Sequence, residues 1–428
     1  MTGARTLCAA AAAVALAAAS ASPALAKPFE PTAPAGPPKL DAAAWLLIDA
    51  DDGERLAAFD PSKPLEIAST TKLMTAYLAL EELPLRRKLT APAYQPLPAE
   101  SILGLREGER ISVRELLYSL ILASANDSAV TLAEGVSGSV PDFVAEMNDT
   151  ADELGLNDTT YTNPIGLDDP ANRSSARDLI TLAERLMDDP LFRRIADTTE
   201  TTIQTDQREI EITTRNTLLL RDPTATGIKT GHTLGAGYVL VGSATRHGVD
   251  LVSVVLGAPN EAARDSESLD LLNYGFSLYD QRTPVRQGEA LADLDLTDQD
   301  ETLAVSAART LEVSLRRGQQ LVTEIEVPDE VTGPIDKGER LGTVTVTVDG
   351  REAGSSPLVA AHSADAATLF EKLRSRVAEI VAVAALAAVV ILIVVLLARR
   401  RTESALRTPE ERMRSREERK RRRGGERP

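Results

Sequence analysis

A serine and a lysine three residues apart form the first pattern in this sequence that could do chemistry. Ser69 opens the sequence Ser-Thr-Thr-Lys, and the apolar-rich residues after Lys72 predict a helix that begins at about Ser69. Residues at i and i+3 share one face of a helix, so the Ser69 hydroxyl and the Lys72 ammonium can be hydrogen-bond neighbours. A serine needs a base to become a nucleophile, and a lysine can serve only if burial or a nearby positive charge keeps it neutral. The pattern therefore favours Ser69 as a nucleophile beside Lys72.

A second motif, Ser124-Ala125-Asn126, lies between two stretches that predict helices, at residues 113–123 and 125–135. Ser124 could relay a proton to a leaving amine, and Asn126 could hydrogen-bond a substrate amide. The structural alternative is a helix N-cap, which stabilises a helix by about 1 kcal/mol. The motif alone does not separate these two roles.

A third motif, Lys229-Thr230-Gly231, is followed by His232. On a strand edge, Lys229 would place positive charge beside the serine–lysine pair, and Thr230 could bind a substrate carboxylate. Gly231 would permit close approach of the substrate backbone. The backbone N–H groups of Ser69 and His232 could hold an oxyanion. Taken alone, this motif is equally well explained as a turn between strands.

The three motifs together are far more specific than any one of them, because Ser-x-x-Lys, Ser-x-Asn and Lys-Thr-Gly occur here in the order found in penicillin-recognising enzymes. On these motifs the chain resembles the low-molecular-mass penicillin-binding proteins, which are serine-type D-alanyl-D-alanine carboxypeptidases (peptidase family S11). The resemblance covers about residues 42–280, and the β-rich part to about residue 361 is similar to the family's second domain. Further segments that look like the family lie at residues 116–129, 154–161, 163–167, 175–179, 216–219 and 264–276.

The resemblance implies roles for the motif residues. Ser69 would form an acyl-enzyme with the penultimate D-Ala carbonyl of a peptidoglycan stem peptide and release the terminal D-Ala, after which water hydrolyses the ester. Lys72 would be the general base, although the identity of the base in this superfamily is disputed. Thr230 and Arg264 would hold the terminal carboxylate, with a surface salt bridge as the alternative for Arg264. β-Lactam antibiotics would be covalent inhibitors, and no cofactor is implied.

Other activities remain compatible with the motifs. A D,D-endopeptidase that cuts peptidoglycan crosslinks would use the same chemistry. A class A-like β-lactamase would need a glutamate that activates the deacylating water. Residues 148–167 supply none in a loop, since Glu153 falls within a helical pattern. A wall-binding scaffold without activity is the non-enzymatic alternative, and the presence of every catalytic side chain disfavours it.

Composition and charge exclude several function classes. The net charge is −17, and the basic residues cluster after Arg399, so the body of the chain is still more acidic and disfavours nucleic acid as a partner. The three histidines (His232, His247 and His362) do not stand at metal-ligand spacing, and we predict no metal site. Cys8 is the only cysteine, which leaves no disulfide framework.

Two apolar segments predict the location of the chain. Residues 1–26 resemble a secretory signal peptide that ends in Ala-Leu-Ala. Residues 380–398 carry no charge and are long enough to span a bilayer as a helix. Arg399, Arg400 and Arg401 follow at once, so the positive-inside rule places the tail at residues 399–428 in the cytoplasm. We therefore predict a single-pass cell-membrane protein with its catalytic domain outside the cytoplasm.

The remaining patterns predict an α+β fold. A Pro-rich linker at residues 27–40 precedes a β-lactamase/DD-peptidase-like catalytic domain at 41–282, in which an antiparallel sheet packs with a helical cluster. A helix at 269–279 is expected to close this domain. Short alternating segments then predict a small β-sandwich domain at 283–362, followed by a juxtamembrane segment at 363–379 and the C-terminal transmembrane helix.

Overall fold

The structure is a computed structural model that describes residues 36–98 and 100–405, together with residues 413, 414 and 417. The predicted signal peptide, most of the predicted Pro-rich linker and most of the predicted basic tail lie outside the described residues. The chain forms two compact units. Of the described residues, those up to 283 with segments 312–322 and 348–351 form the first unit, and those at 284–311, at 323–347 and from 352 onward form the second.

The first unit alternates short strands with helices. Its strands are β1 Ala44–Asp49, β2 Arg55–Phe59, β3 Leu65–Glu66, β4 Lys88–Thr90, β5 Arg110–Ser112, β6 Arg173–Ser174, β7 Glu200–Gln204, β8 Glu209–Thr213, β9 Ala225–Thr233, β10 Gly237–Arg246 and β11 Val249–Ala258. A 3₁₀ helix at Ala68–Thr71 leads into the first of its helices, which are α1 Lys72–Glu82, α2 Val113–Ile121, α3 Asn126–Ser137, α4 Val140–Glu153, α5 Ala176–Met187, α6 Pro190–Ala196, α7 Leu218–Arg221 and α8 Glu261–Phe276.

The central sheet of this unit has five antiparallel strands in the order β2-β1-β11-β10-β9, which leaves β9 at one edge. Side chains alternate between the two faces of a strand, so a sheet covered on both faces needs apolar residues at every position. On β1, Leu46 and Ile48 join the larger core with the helical cluster, whereas Trp45 and Leu47 join a second core with α8. The sheet is therefore the middle layer between helices, and the predicted packing of an antiparallel sheet with a helical cluster is confirmed.

Helix α8 begins eight residues earlier than the sequence predicted. The helix was predicted at 269–279 because the apolar residues begin there. The first two turns of the observed helix are mostly polar, so the apolar pattern does not reveal where the helix begins. Asn260 marks the beginning, because its side chain accepts a hydrogen bond from the Ala263 amide at 2.9 Å. The helix ends at Phe276, and Tyr279 already begins a strand. As a consequence, Arg264 lies within the helix and not before it.

Eight further strands follow: β12 Tyr279–Val285, β13 Ala290–Leu296, β14 Thr302–Ala307, β15 Leu311–Arg316, β16 Leu321–Glu326, β17 Glu330–Val331, β18 Arg340–Val348 and β19 Arg351–Ala360. Six of them form a sheet in the order β16-β18-β19-β14-β13-β17, while β12 pairs with β15. A small apolar cluster that includes Leu296, Leu303 and Ile335 lies in the second unit. The predicted C-terminal β-rich domain is therefore present.

A long helix, α9 Leu369–Ala405, follows the β-rich domain. Its stretch Leu369–Arg399 is the one candidate membrane span within the described residues, with a mean hydropathy of 3.5 in its most apolar window. The predicted membrane segment at 380–398 lies inside this helix, and its large apolar side chains are exposed. Length and composition make α9 suitable for crossing a bilayer.

Candidate active site

Ser69 and Lys72 are brought together by the turn that precedes α1. Ser69 lies in the 3₁₀ helix Ala68–Thr71, in which side chains three residues apart eclipse one another. The Lys72 Nζ donates a hydrogen bond of 2.9 Å to the Ser69 Oγ. It donates a second one, of 2.5 Å, to the carbonyl oxygen of Ile165. These two hydrogen bonds fix the Lys72 ammonium group beside the Ser69 hydroxyl.

The protonation state of Lys72 suits a base. The side chain is completely buried, and this desolvation lowers the pKa of the Lys72 ammonium to about 7. The negative charges of Glu100 and Asp127 oppose the shift in pKa, while the positive charge of Arg215 adds to it. Near neutral pH a substantial fraction of Lys72 is therefore an uncharged amine.

A tight loop supplies the carbonyl that holds Lys72. The side-chain oxygen of Asn163 accepts hydrogen bonds from the backbone N–H groups of Ile165, Gly166 and Leu167, at 3.2, 2.6 and 3.2 Å. Gly166 has a positive φ of 81°, and a Cβ at this position would lie 1.9 Å from the carbonyl oxygen of Ala68. Only glycine lets the loop pack this closely against the turn that carries the serine.

We expect Gly166→Ala to destabilise the protein and to impair the site. The new methyl group would force the Ala68 carbonyl or the loop to move, and overpacking together with a positive φ costs on the order of 3 kcal/mol. Gly155→Ala is the matched control, since Gly155 has a φ of 72° but open space around its ideal Cβ. Thermal unfolding would measure both variants. Equal losses would show that the contact with Ala68 is unimportant.

Ser124 is joined to the third motif. Its Oγ accepts a hydrogen bond of 3.0 Å from the Nζ of Lys229, which also donates to the carbonyl oxygen of Thr230 at 2.8 Å. The N-cap of α3 is Ala125, and no side chain caps this helix. Ser124 therefore does not act as the N-cap that the motif alone allowed. Its backbone has a positive φ of 58°, an uncommon conformation for a residue other than glycine.

Lys229, the second buried lysine of the site, is disfavoured in its charged form. Burial lowers the pKa of Lys229 well below its ordinary value, and the positive charges of Lys72, Arg215 and Arg264 lower it further. The sequence predicted that Lys229 adds positive charge to the site. Without a bound ligand, burial disfavours the charged form of Lys229. An anion bound beside Lys229 would raise its pKa and favour the charged form.

Gly231 lets the edge strand β9 approach Ser69. A Cβ on Gly231 would lie 2.8 Å from the backbone nitrogen of Ser69. The sequence predicted that this glycine admits the substrate backbone; the structure shows that it admits the backbone of Ser69 itself. His232 is exposed, and its ring stacks on Tyr238 with 3.9 Å between centroids. The two predicted oxyanion donors, Ser69 and His232, thus lie at adjoining backbone segments.

Asn126 lies in the first turn of α3, and its side-chain amide donates to the Oε2 of Glu100 at 2.8 Å. The neighbouring Asp127 accepts hydrogen bonds from the backbone N–H groups of Leu103, Gly104 and Leu105. The loop between β4 and β5 is thereby fixed against the second motif. No sequence pattern indicated Glu100, which lies in a proline-rich loop far from the motifs.

Arg264 forms an ion pair, but a buried one. Its guanidinium contacts Asp265 at 2.7 Å and Glu261 at 3.1 Å, and only 3% of Arg264 is exposed. The alternative considered from the sequence, a salt bridge on the surface, is therefore wrong, because Arg264 is buried. The charge of Arg264 reaches Lys229, whose pKa it lowers. Arg215, which no motif indicated, acts on both lysines from an exposed position.

These features define a class of protein: an antiparallel sheet between helical layers, with a serine–lysine pair beside its edge strand, is the architecture of the DD-peptidases. Residues 31–260 match the family model described as D-alanyl-D-alanine carboxypeptidase. Residues 279–365 match that of the C-terminal domain of penicillin-binding protein 5. The chain belongs to the D-alanyl-D-alanine carboxypeptidase family, peptidase family S11.

Individual relatives agree with this assignment. The chain is 33% identical to the D-alanyl-D-alanine carboxypeptidase DacC of Escherichia coli, over 81% of this chain and 91% of the relative. Among solved structures, penicillin-binding protein 5 from Haemophilus influenzae is 30% identical with a TM-score of 0.55, covering 78% of this chain and 100% of that one. The Streptomyces K15 DD-transpeptidase is 32% identical with a TM-score of 0.55, covering 57% and 100%.

Proposed function

We propose that this chain removes the terminal D-Ala from peptidoglycan stem pentapeptides through an acyl-enzyme on Ser69. The observation that carries the proposal is the contact of 2.9 Å between the Lys72 Nζ and the Ser69 Oγ. Because the pKa of Lys72 is lowered to about 7, the amine can accept the serine proton at neutral pH. A half-buried nucleophile and its buried base are thus adjacent before substrate binds.

The reaction follows from the positions of these groups. Lys72 accepts the proton of Ser69 while Oγ forms a bond to the penultimate D-Ala carbonyl carbon. The backbone N–H groups of Ser69 and His232 stabilise the oxyanion. Ser124 relays this proton from Lys72 to the leaving amine, the C–N bond breaks, and D-Ala departs, which leaves Lys72 neutral again. Water then attacks the ester with Lys72 as base, which regenerates Ser69 and releases the shortened stem.

The terminal carboxylate of the substrate would change the protonation state of Lys229. A carboxylate bound near Thr230 would favour the protonated form of Lys229, whose charge burial otherwise opposes. A charged Lys229 in turn keeps Lys72 neutral. Thr230 and Arg264 are the proposed carboxylate holders, and Asn126 the partner of a substrate amide. The same groups would accept a β-lactam, whose carboxylate and amide resemble those of D-Ala-D-Ala.

Membrane attachment fits this substrate. The helix α9 has the length and composition of a membrane span. A cleaved signal peptide and a cytoplasmic basic tail would leave the catalytic domain outside the cytoplasm, where peptidoglycan lies. The arginines that follow residue 398 support this orientation.

The main competing activity acts on crosslinks. A D,D-endopeptidase would break a different bond by the same chemistry, and one of the structural relatives, from Streptomyces, is a DD-transpeptidase. A class A-like β-lactamase is less well supported, because Glu153 is the last residue of α4 and not part of a loop. Substrate assays, not geometry, separate these activities.

The full-length chain in detergent should release D-Ala from a stem pentapeptide and leave a crosslinked muropeptide dimer largely intact. Prior incubation with benzylpenicillin should block the release, since the antibiotic would occupy Ser69. A product assay by chromatography measures both reactions. Cleavage of the dimer without release of D-Ala would contradict the carboxypeptidase proposal, and rapid turnover of the penicillin would favour a β-lactamase.

A further inference from the structure

Glu100 connects the loop between β4 and β5 to the second motif. Its Oε2 accepts hydrogen bonds from the Asn126 amide at 2.8 Å and from the Tyr94 hydroxyl. Its Oε1 accepts one from the Leu97 backbone N–H at 3.0 Å. A second tie runs from the Asn126 backbone N–H to the Ser101 carbonyl at 2.8 Å. The loop therefore holds both the backbone and the side chain of Asn126.

The hydrogen bond to Glu100 decides which way the Asn126 amide faces. An asparagine side chain offers two donor hydrogens on one side and an acceptor oxygen on the other. A carboxylate can only accept, so it binds the nitrogen side and turns the oxygen away. The Asn126 oxygen then faces away from Glu100, and in the proposed function it is the group that meets the substrate.

Glu100 also acts electrostatically on Lys72, the proposed base. Three charged groups act on Lys72: Glu100 and Asp127 are negative, and Arg215 is positive. The other buried lysine, Lys229, has a pKa well below its ordinary value. Asp127 is engaged by backbone N–H groups of the loop. Burial opposes ionisation of Glu100, but its hydrogen bonds outweigh burial and hold the pKa of Glu100 below its ordinary value. The carboxylate is therefore ionised at neutral pH.

We propose that Glu100 is a positioning residue for acylation, which fixes the Asn126 amide toward the substrate and places a negative charge opposite Lys72. This inference rests on the proposed function, because it assigns Glu100 to the same acylation step. It extends the site beyond the three motifs to a loop residue. The hydrogen bond and the charge are separable, since glutamine keeps the first and removes the second.

The test is the pH profile of the second-order rate constant for acylation by a fluorescent penicillin, with the full-length chain in detergent. In Glu100→Gln, the amide oxygen can still accept from Asn126 and Tyr94, so the rate at the plateau should stay close to that of the wild type. Loss of the negative charge lowers the pKa of Lys72, and the acid limb should move to lower pH. In Glu100→Ala the limb should move likewise, and the plateau should fall about tenfold.

Glu107→Gln is the matched control, because Glu107 is an exposed carboxylate on the same loop. It removes an equal charge and should leave both limb and plateau unchanged. If Glu100→Ala fails to fold, the comparison between Glu100→Gln and the wild type still decides. If the wild type is labelled and the pH profile of Glu100→Gln superimposes on its profile, the inference about Glu100 is wrong and the proposed function stands. A wild type that is not labelled would overturn the proposed function and the inference with it.

Discussion

Replacing Ser69 by alanine is expected to abolish both covalent labelling by a fluorescent penicillin and release of D-Ala from a pentapeptide. The alanine variant lacks the Oγ that would form the ester, so no acyl-enzyme can accumulate. Binding without covalent attachment should survive, because the groups proposed to hold the carboxylate remain. Gel fluorescence after denaturation measures the covalent product directly.

Two other serines serve as controls for this result. Ser124→Ala removes the proposed proton relay but not the nucleophile, so labelling should persist at a lower rate. Ser266→Ala changes an exposed serine on α8 and should behave as the wild type. Labelling of Ser69→Ala at the wild-type level would mean that another residue is the nucleophile. If Ser124→Ala lost labelling and Ser69→Ala kept it, Ser124 would be the nucleophile instead of Ser69.

Replacing Lys72 by methionine is expected to slow acylation about 10³-fold, the usual range for loss of a general base. Methionine has a similar length and is apolar, so it suits a site that is fully buried. In the proposed mechanism, the neutral amine of Lys72 is the active form, and burial lowers the pKa of Lys72 to about 7. The acylation rate should therefore rise as the pH increases through about 7 and level off above it.

The methionine variant should lose this pH dependence along with most of its rate. Lys88→Met, an exposed lysine on β4, is the control for removing one positive charge. Circular dichroism would establish that both variants fold. A Lys72→Met variant that acylates within a few-fold of the wild type would show that a different group, such as Lys229, is the base.

The helix predictions show where sequence patterns succeed. The helices α2 and α3 lie within a few residues of the predicted stretches at 113–123 and 125–135, because each buries an apolar face against the core. The prediction for α8 was wrong at its start, since the first two turns of this helix are polar. The apolar period gives the buried turns of a helix, while its beginning depends on the cap, here Asn260.

The sequence by itself determined the three motifs, the α+β class and the family, because local spacing and apolar period need no knowledge of the tertiary fold. It also linked Ser69 to Lys72, which lie within one turn of the chain. Spacing and apolar period alone do not give contacts between residues far apart in sequence, and the expected position of Lys229 beside the serine–lysine pair rested on the set of three motifs. Lys229 meets Ser124, and Ile165 meets Lys72, only because the folded sheet and loops bring them together.

The tertiary structure also decided the electrostatics of the site. Complete burial lowers the pKa of Lys72, and no sequence pattern reports how deeply a lysine is enclosed. Glu100 and Arg215 reach the site from a loop and from the segment before α7, at separations that carry no periodic signal. The close packing of Gly166 against Ala68 could not be predicted either, because these residues lie far apart in sequence. A motif gives the reacting groups, whereas the fold sets their charge, distance and orientation.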